Sequence, residues 1–497
     1  MLKKVPLYPF LFAAYPVLAL AAHNFHQIAA GQIWRPLLAS LLLAGIILCL
    51  ARLLLGDWQR AALAATIALL LFFSYGQVYA ELKNVTLAGV LPFRHRTLGV
   101  LWGVLLAAGI YWVWRRLKNP AEWTPWLNLI GGLLLVYPLL IVVPGTLNTS
   151  MNKGTTPSLA GTSVTPSNRP DVYYIILDAY GRQDALQEEL GYDNSEFIKG
   201  LKERGFYVAE CSQSNYAQTE LSLTSSLNYD YLQSLPTPSS NVTPDKLRLH
   251  SAVRTFFEAQ GYKVVAFPTG FGWIEWTDAD LYPRLPHQFS DLSEFEILFG
   301  RTTLLRVPMD LAIKSLVQAA ENGKYRERTL NVLTTLRNIP GYSGDYFVYA
   351  HIVSPHPPYV FDAVGNPVDL DTGDMSAREK RAGYMAQATF IGNEVLKVVD
   401  NILHGSSVAP IIVIQGDHGS PTANREQRMK ILNAYYLPGT NSADHLYPSI
   451  SPVNTFRVIL NTYFGQSLPV LKDKSYYSSY DERADFELIP NSCPEAP

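Results

Sequence analysis

Val172-Tyr173-Tyr174-Ile175-Ile176-Leu177-Asp178 opens the part of the chain that decides its fold. Six consecutive β-branched, aromatic or aliphatic residues leave no polar face, which predicts a strand covered on both sides and ending on a carboxylate. Similar runs recur at Lys263–Phe267, Tyr346–Ile352 (YFVYAHI) and Pro410–Gln415 (PIIVIQ), with a short one at Phe206–Val208. Helical patterns separate them at Ser195–Glu203, Ser222–Leu232, Leu249–Gln260 and from about Ala377 to Leu403. Buried strands alternating with helices predict an α/β/α sandwich with a mostly parallel central sheet. Ligands in such sheets collect at the carboxyl ends of the strands. Asp178, His356 and Asp417 all follow strands in this way.

Outward from that core, the composition changes. The whole chain has 497 residues, 16% of them charged and 48% hydrophobic, with a net charge of −2, a balance without the basic surface that nucleic-acid binding needs. Up to Gly145, however, Leu, Ala, Ile, Val, Trp and Phe dominate. Five apolar stretches stand out: Tyr8–Ala22, Pro36–Leu55, Ala61–Tyr79, Leu98–Trp114 and Leu127–Val143. A bilayer crossing takes about 20 mostly apolar residues, which predicts an α-helical transmembrane bundle of about five spans over residues 1–145. The first stretch is short, and its Ala-rich end after Lys3 and Lys4 also fits a cleaved signal peptide.

Charge orients the bundle. With the N-terminus inside, the inner segments carry Lys3, Lys4, Arg52, Arg60, Arg115, Arg116 and Lys118, and the outer ones only Arg35, Lys83, Arg94 and Arg96. That excess follows the positive-inside rule and exports the C-terminal half. Residues 146–170, rich in Thr, Ser, Gly, Asn and Pro, read as a linker to an exported domain over 171–497. Of the three cysteines, Cys49 lies within a predicted span, where it is expected to pack as a small apolar residue. Cys211 and Cys493 fall in the exported half, where a disulfide could persist, but sequence does not set their separation.

Four features carry chemistry. Asp178 stands directly after a strand, where it could also be a turn-capping residue. Gly416-Asp417-His418-Gly419 follows another strand; adjacent carboxylate and imidazole suit a divalent cation, and the flanking glycines allow sharp bending. In Asn215–Asn228 (NYAQTELSLTSSLN), Thr219 opens a predicted helix, as a nucleophile at a phosphate-binding terminus or as an ordinary N-cap. In His351–Tyr359 (HIVSPHPPY), two histidines straddle a strand end before Pro357-Pro358.

Together these positions, from about Asp171 to Phe464, resemble the alkaline phosphatase superfamily, in the branch of sulfatases, lipoteichoic acid synthases, phosphoglycerol transferases and phosphoethanolamine transferases. The resemblance implies a catalytic cation, zinc or manganese, on Asp178, Thr219, Asp417 and His418, with Thr219 as nucleophile. It places His356, and His351 beside it, on the substrate phosphate. No full second ligand set is visible, so a second metal stays open. The five-span anchor matches the same branch. There are departures. The C/S-x-P-x-R motif of sulfatases proper is missing, at most one exported disulfide can form, and Ser451–Thr455 stands where relatives often have an Asp.

The expected function is transfer of a phospholipid headgroup, phosphoglycerol or phosphoethanolamine, to an exported glycan or glycolipid through a phospho-threonine. The expected location is a bacterial inner membrane, with the catalytic domain on the periplasmic or extracellular side. Phe271–Trp276 (FGWIEW), with Trp273 as the candidate, would shape the headgroup site or touch the membrane, or else be core aromatics. A membrane-anchored hydrolase and a non-catalytic lipid sensor are the alternatives.

Overall fold

The computed structural model describes residues 5–24, 30–86, 92–151, 169–235, 244–271, 274–283, 285, 292–342, 344–369, 375–441, 444–480, 482–491 and 493. They form two compact units, residues 1–156 with 287–321, and residues 157–286 with 322–497. The second stretch of the first unit, 287–321, comes from the half of the sequence expected to be wholly exported and catalytic.

In the first unit the apolar stretches become helices α1 (Tyr8–His23), α2 (Trp34–Leu55), α3 (Trp58–Leu82), α4 (His95–Tyr111) and α5 (Thr124–Met151). Four of the five apolar segments form helices long and apolar enough to cross a membrane; α1, with 16 residues, is shorter. Gly56, at φ +70°, ends α2, and the Asp57 carboxylate accepts from Arg60 N to start α3, so the two helices turn back within two residues. Helix α3 is the central one and buries Ala61, Ala62, Ala64 and Ala65. Small residues let helices approach closely where lipid offers no hydrophobic drive to pack. Gly131 receives the side chain of Leu11, and Gly109 that of Ile67. Outward-facing leucines such as Leu42, Leu53 and Leu140 are largely exposed, as lipid contact requires. Cys49 is also exposed, not packed as expected, because it sits on the outward side of α2.

The second unit is built on a six-stranded sheet. Its strands are β1 (Val172–Leu177), β2 (Tyr207–Val208), β3 (Lys263–Ala266), β4 (Tyr346–Ile352), β5 (Ile411–Gly416) and β6 (Asn433–Tyr436), in the order β2-β6-β5-β1-β4-β3. The four strands β5, β1, β4 and β3 run parallel, and β6 is antiparallel to β5. Strand β1 divides its side chains between two cores. Tyr173, Ile175 and Leu177 join Ile391, Val395, Val398 and Ile402 of helix Ala377–Gly405 on one face. Val172, Tyr174 and Ile176 join Val253 and Phe257 of helix Ala252–Ala259 and Phe456 and Ile459 of helix Pro452–Phe464 on the other. Every residue of β1 is fully buried, which explains why its sequence shows no alternation. The α/β/α sandwich is therefore present as expected.

A hairpin of β7 (Ser475–Tyr477) and β8 (Glu487–Ile489) closes the described chain, and a Cys211–Cys493 disulfide with Cα atoms 5.7 Å apart ties its end down. Asp473, just before β7, accepts from Ser451 N, Ser451 Oγ and Asn454 Nδ2. A carboxylate from elsewhere in the chain thus serves the segment Ser451–Thr455, which has none of its own.

At the amino end of β1, Asp171 accepts from Tyr346 N. Burial, outweighing that hydrogen bond and aided by the charge of Asp345, pushes its carboxyl up to about 6. A raised carboxyl favours folding most below its unfolded value near 4, and that contribution is lost as pH rises through about 6. Asp171→Asn keeps an acceptor for Tyr346 N and removes the charge. It is expected to stabilise the protein by about 1–3 kcal/mol at pH 8 and by almost nothing at pH 4. Denaturant unfolding of the detergent-solubilised protein at both pH values checks this; equal effects would remove the linkage.

Candidate metal and nucleophile site

Strand register assembles the site. Strand β1 lies between β4 and β5, with Leu177 opposite both Ile352 and Gly416. Asp178 directly follows β1, Asp417 directly follows β5, and His351 is the penultimate residue of β4. Asp178 N continues the ladder to Ile352 O at 3.0 Å. Asp178, His351 and Asp417 are each almost fully buried, and one ligand atom from each lies within 4.8 Å of the others.

Hydrogen bonding leaves this cluster incomplete. Asp417 Oδ1 accepts from Ala179 N at 2.9 Å, and His351 Nε2 pairs with Asp178 Oδ2 at 3.0 Å. Among the described residues, Asp178 Oδ1, Asp417 Oδ2 and His351 Nδ1 are buried without a hydrogen-bond partner. Two buried carboxylates, each with an unsatisfied oxygen, beside imidazole nitrogens are a donor set that fits a divalent cation. Burial alone would raise the Asp178 carboxyl, but His356, His351 and His418 outweigh it and hold Asp178 well below the usual carboxylate range.

His418 stands at the edge of the cluster. Its Nε2 is 3.8 Å from Asp178 Oδ1 and 3.6 Å from Asp417 Oδ2. Its Nδ1 is 2.8 Å from Gly419 O, so the proton sits on Nδ1 and the lone pair of Nε2 faces the site. Burial lowers the His418 pKa, and Arg428 adds to this, against the opposing charges of Asp417 and Asp178. A neutral imidazole is the state a metal ligand requires.

Thr219 is the first residue of helix Thr219–Leu227, with Gln218 as its N-cap, so the capping reading of Thr219 does not hold. Its Oγ1 lies 3.2 Å from His418 Nε2, and the residue is only partly buried. Ser222, Ser225 and Ser226 on the same helix are buried, and their hydroxyls are spent on Ser214, Asp230 O and Tyr174. The loop before Thr219 is braced by the β7–β8 hairpin. Gln218 Nε2 donates to Ser478 O and Ser479 O, and Asn215 Nδ2 to Lys474 O.

The glycines around Asp417-His418 do something other than bend the chain. Neither has a positive φ. A Cβ on Gly416 would stand 2.4 Å from Tyr180 O, and one on Gly419 2.7 Å from Gln427 O. Close backbone approach, not turning, excludes a side chain. The left-handed residue is Ala179 at φ +64°, the residue whose N–H meets Asp417.

The structure brings together Asp178, Thr219, His351, Asp417 and His418. His356 lies at the rim, its ring centre 6.4 Å from that of His418 and its N–H on Asp178 O. His351, expected beside His356 on substrate, is instead buried against Asp178, because it lies within β4 and not beyond it. Trp273 lies outside the described residues. Nearby Trp276 is a core residue, its ring tilted against that of Tyr349 and its Nε1 donating to Arg248 O. One residue escaped the sequence reading. Arg428 donates from Nε to Ala217 O and brings its other end to 3.4 Å from His418 Nε2. Its only signal in the sequence is its place ten residues after His418.

No family model matches the chain, and no curated protein matches it. Among solved structures it is similar to the C-terminal periplasmic domain of EcEptC from Escherichia coli, at 11% identity and a TM-score of 0.42, over 69% of this chain and 98% of that one. A zinc complex of that domain gives 10% identity and a TM-score of 0.42, over 65% and 93%. The integral membrane lipooligosaccharide phosphoethanolamine transferase A from Neisseria meningitidis gives 12% identity and a TM-score of 0.39, over 93% of this chain and 94% of that one.

The unsatisfied carboxylates yield a test. Asp417→Asn removes one of two like charges, so the metal-stripped variant is expected to melt at or above stripped wild type. Zinc added at about a hundred times the dissociation constant stabilises wild type by about 2.7 kcal/mol and leaves the variant unchanged. Melting curves after chelation, with and without zinc or manganese, read both effects; equal stabilisation of the two proteins would remove Asp417 from the site.

Proposed function

We propose that the protein is a membrane-anchored, metal-dependent transferase that moves a phospholipid headgroup, phosphoglycerol or phosphoethanolamine, onto an exported glycan or glycolipid. One observation carries the reading: a partly buried threonine at a helix start, its hydroxyl 3.2 Å from His418 Nε2, whose ring borders the buried Asp178–His351–Asp417 group. A merely structural threonine has no use for two unsatisfied carboxylates behind it. Helices long and apolar enough to cross a membrane support a lipid donor, and the positive-inside charge pattern supports an inner membrane with the site on its outer side.

With His351 supported as a further donor by its place in the same buried cluster, Asp178, Asp417 and His418 would hold the cation, zinc or manganese. When bound, it acidifies the Thr219 hydroxyl and neutralises charge on the phosphoryl oxygens. Thr219 Oγ1 attacks phosphorus, the Oγ1–P bond forms, and the P–O bond to diacylglycerol breaks. The hydroxyl proton of Thr219 passes to solvent water, and His356, at the rim and in its imidazolium form, gives its proton to the departing alkoxide and is left neutral to take the acceptor's proton in the second half-reaction. The amide N–H groups at the start of helix Thr219–Leu227, which has no side-chain cap hydrogen bond, and the guanidinium of Arg428 stabilise the phosphoryl oxygens. An acceptor hydroxyl then attacks the phospho-threonine in the reverse sense, and Thr219 is regenerated.

Intact-mass measurement of the detergent-purified protein, incubated with phosphatidylglycerol or phosphatidylethanolamine and metal, tests this. A headgroup-sized, phosphorus-containing adduct is expected on wild type and absent from Thr219→Ala. An adduct that forms but decays equally with and without a glycan acceptor would make the protein a hydrolase. Metal binding without adduct or headgroup release would overturn the lipid donor. In the same assay Arg428→Met is expected to slow adduct formation by about 10²–10³-fold with metal content unchanged.

A further inference from the structure

Between β3 and β4 the chain leaves the second unit after Pro286 and returns at Asn322, and the residues between belong to the unit of the apolar helices. Helix Glu294–Thr302 starts on a Ser293–Glu296 capping box and puts Phe295 and Phe299 into one core with Leu69, Phe73 and Val142. Val307, on helix Arg306–Leu311, packs beside Tyr75, Tyr79 and Leu98. At Gly76 the backbone of Arg301 and Thr302 comes so close that a Cβ would stand 2.2 Å from Arg301 O. Polar contacts fasten the segment as well: Arg35–Glu296 at 2.9 Å, His95–Asp310 at 3.2 Å, and Leu304 N to Phe72 O at 2.8 Å.

These anchor points are the start of α2, the second half of α3 and the start of α4. In helices that cross alternately they share one side, opposite Arg52, Arg60, Arg115 and Arg116, and so the outer side by the charge rule. The other face of the segment is apolar and uncovered. Leu305 is 48% exposed, and Leu311 and Leu316 are each 68% exposed. Seven large aliphatic side chains are exposed among the described residues of 287–321, against six large hydrophobic ones in the described part of the whole second unit. Such density continues the outward apolar surface of α2, α4 and α5, where Leu50, Val104 and Leu140 are similarly exposed. A surface facing water does not carry it.

We propose that residues 292–317 are a membrane-surface element whose partner is the lipid bilayer itself. Leu305, Leu311 and Leu316 enter the outer leaflet at the boundary between headgroups and acyl chains, as the apolar side of an interfacial helix does. The element gives the second unit a covalent attachment to the membrane region beyond the linker before β1, at both ends of one insertion.

The test is spin-label depth measurement on the full-length protein in nanodiscs of phosphatidylethanolamine and phosphatidylglycerol. In a Cys49→Ser background, with the Cys211–Cys493 disulfide intact, nitroxides are placed by Leu305→Cys, Leu311→Cys and Leu316→Cys. Val364→Cys, 79% exposed in the second unit, is the reference for water. The proposal expects all three test sites to be more accessible to oxygen than to a water-soluble nickel chelate, with a ratio several-fold above that at residue 364. Ratios equal to the reference would show a hydrated surface and overturn it. Low accessibility to both relaxants would show a protein-covered face, such as a contact with a second copy, and would equally overturn it.

Discussion

The site depends on two negative charges held next to each other away from water. Asp178 and Asp417 end adjacent parallel strands, and the register that pairs β1 with β5 leaves them no room to separate. Like charges in a medium of low polarity repel strongly, and each lone oxygen there forgoes hydration. Much of the surrounding detail counters that repulsion. The Ala179 amide is turned onto Asp417, the buried His351 is hydrogen-bonded to Asp178, and His418 presents a lone pair toward both. A cation answers the remaining imbalance more completely than any of these.

Holding the charges has local costs. Ala179 occupies a left-handed conformation that costs a non-glycine residue roughly 1–2 kcal/mol, and it does so to aim one N–H. Gly416 and Gly419 give up side chains so that two backbones can touch. These positions lie at the mouth of the sheet, where rigidity determines geometry. The large apolar cores on either face of β1 supply the stability that allows them.

How much of this was legible follows from what each residue neighbours. Asp178, Asp417 and His418 could be read because fully apolar strands point straight at them, and Thr219 because a helical pattern begins there. His351 was misplaced by a matter of register. One residue before a strand end, it resembles a partner of His356, and only the pairing with Ile176 shows it turned toward Asp178. Arg428 lies on a five-residue helix after a polar turn, and nothing in its surroundings marks it. Strand β6 (NAYY) mixes one polar residue with two tyrosines over only four positions and carries too weak a pattern. The segment 287–321 escaped for another reason. Its apolar residues are spread among Glu, Arg and Asp, so no uninterrupted run announces a place among the membrane helices.

The brace on the Thr219 loop also bears on the order in which the protein comes into being. The groups that grip Asn215 and Gln218 lie on Lys474, Ser478 and Ser479, and the thiol that locks the hairpin is 282 residues beyond Cys211. During synthesis the apolar helices emerge and insert long before those residues exist. Thr219 therefore reaches the setting described here only after residues 474–479 have been made. Until then the loop before Thr219 lacks the partners that hold Asn215 and Gln218, so the geometry around the strand ends is completed by the last part of the chain to be made.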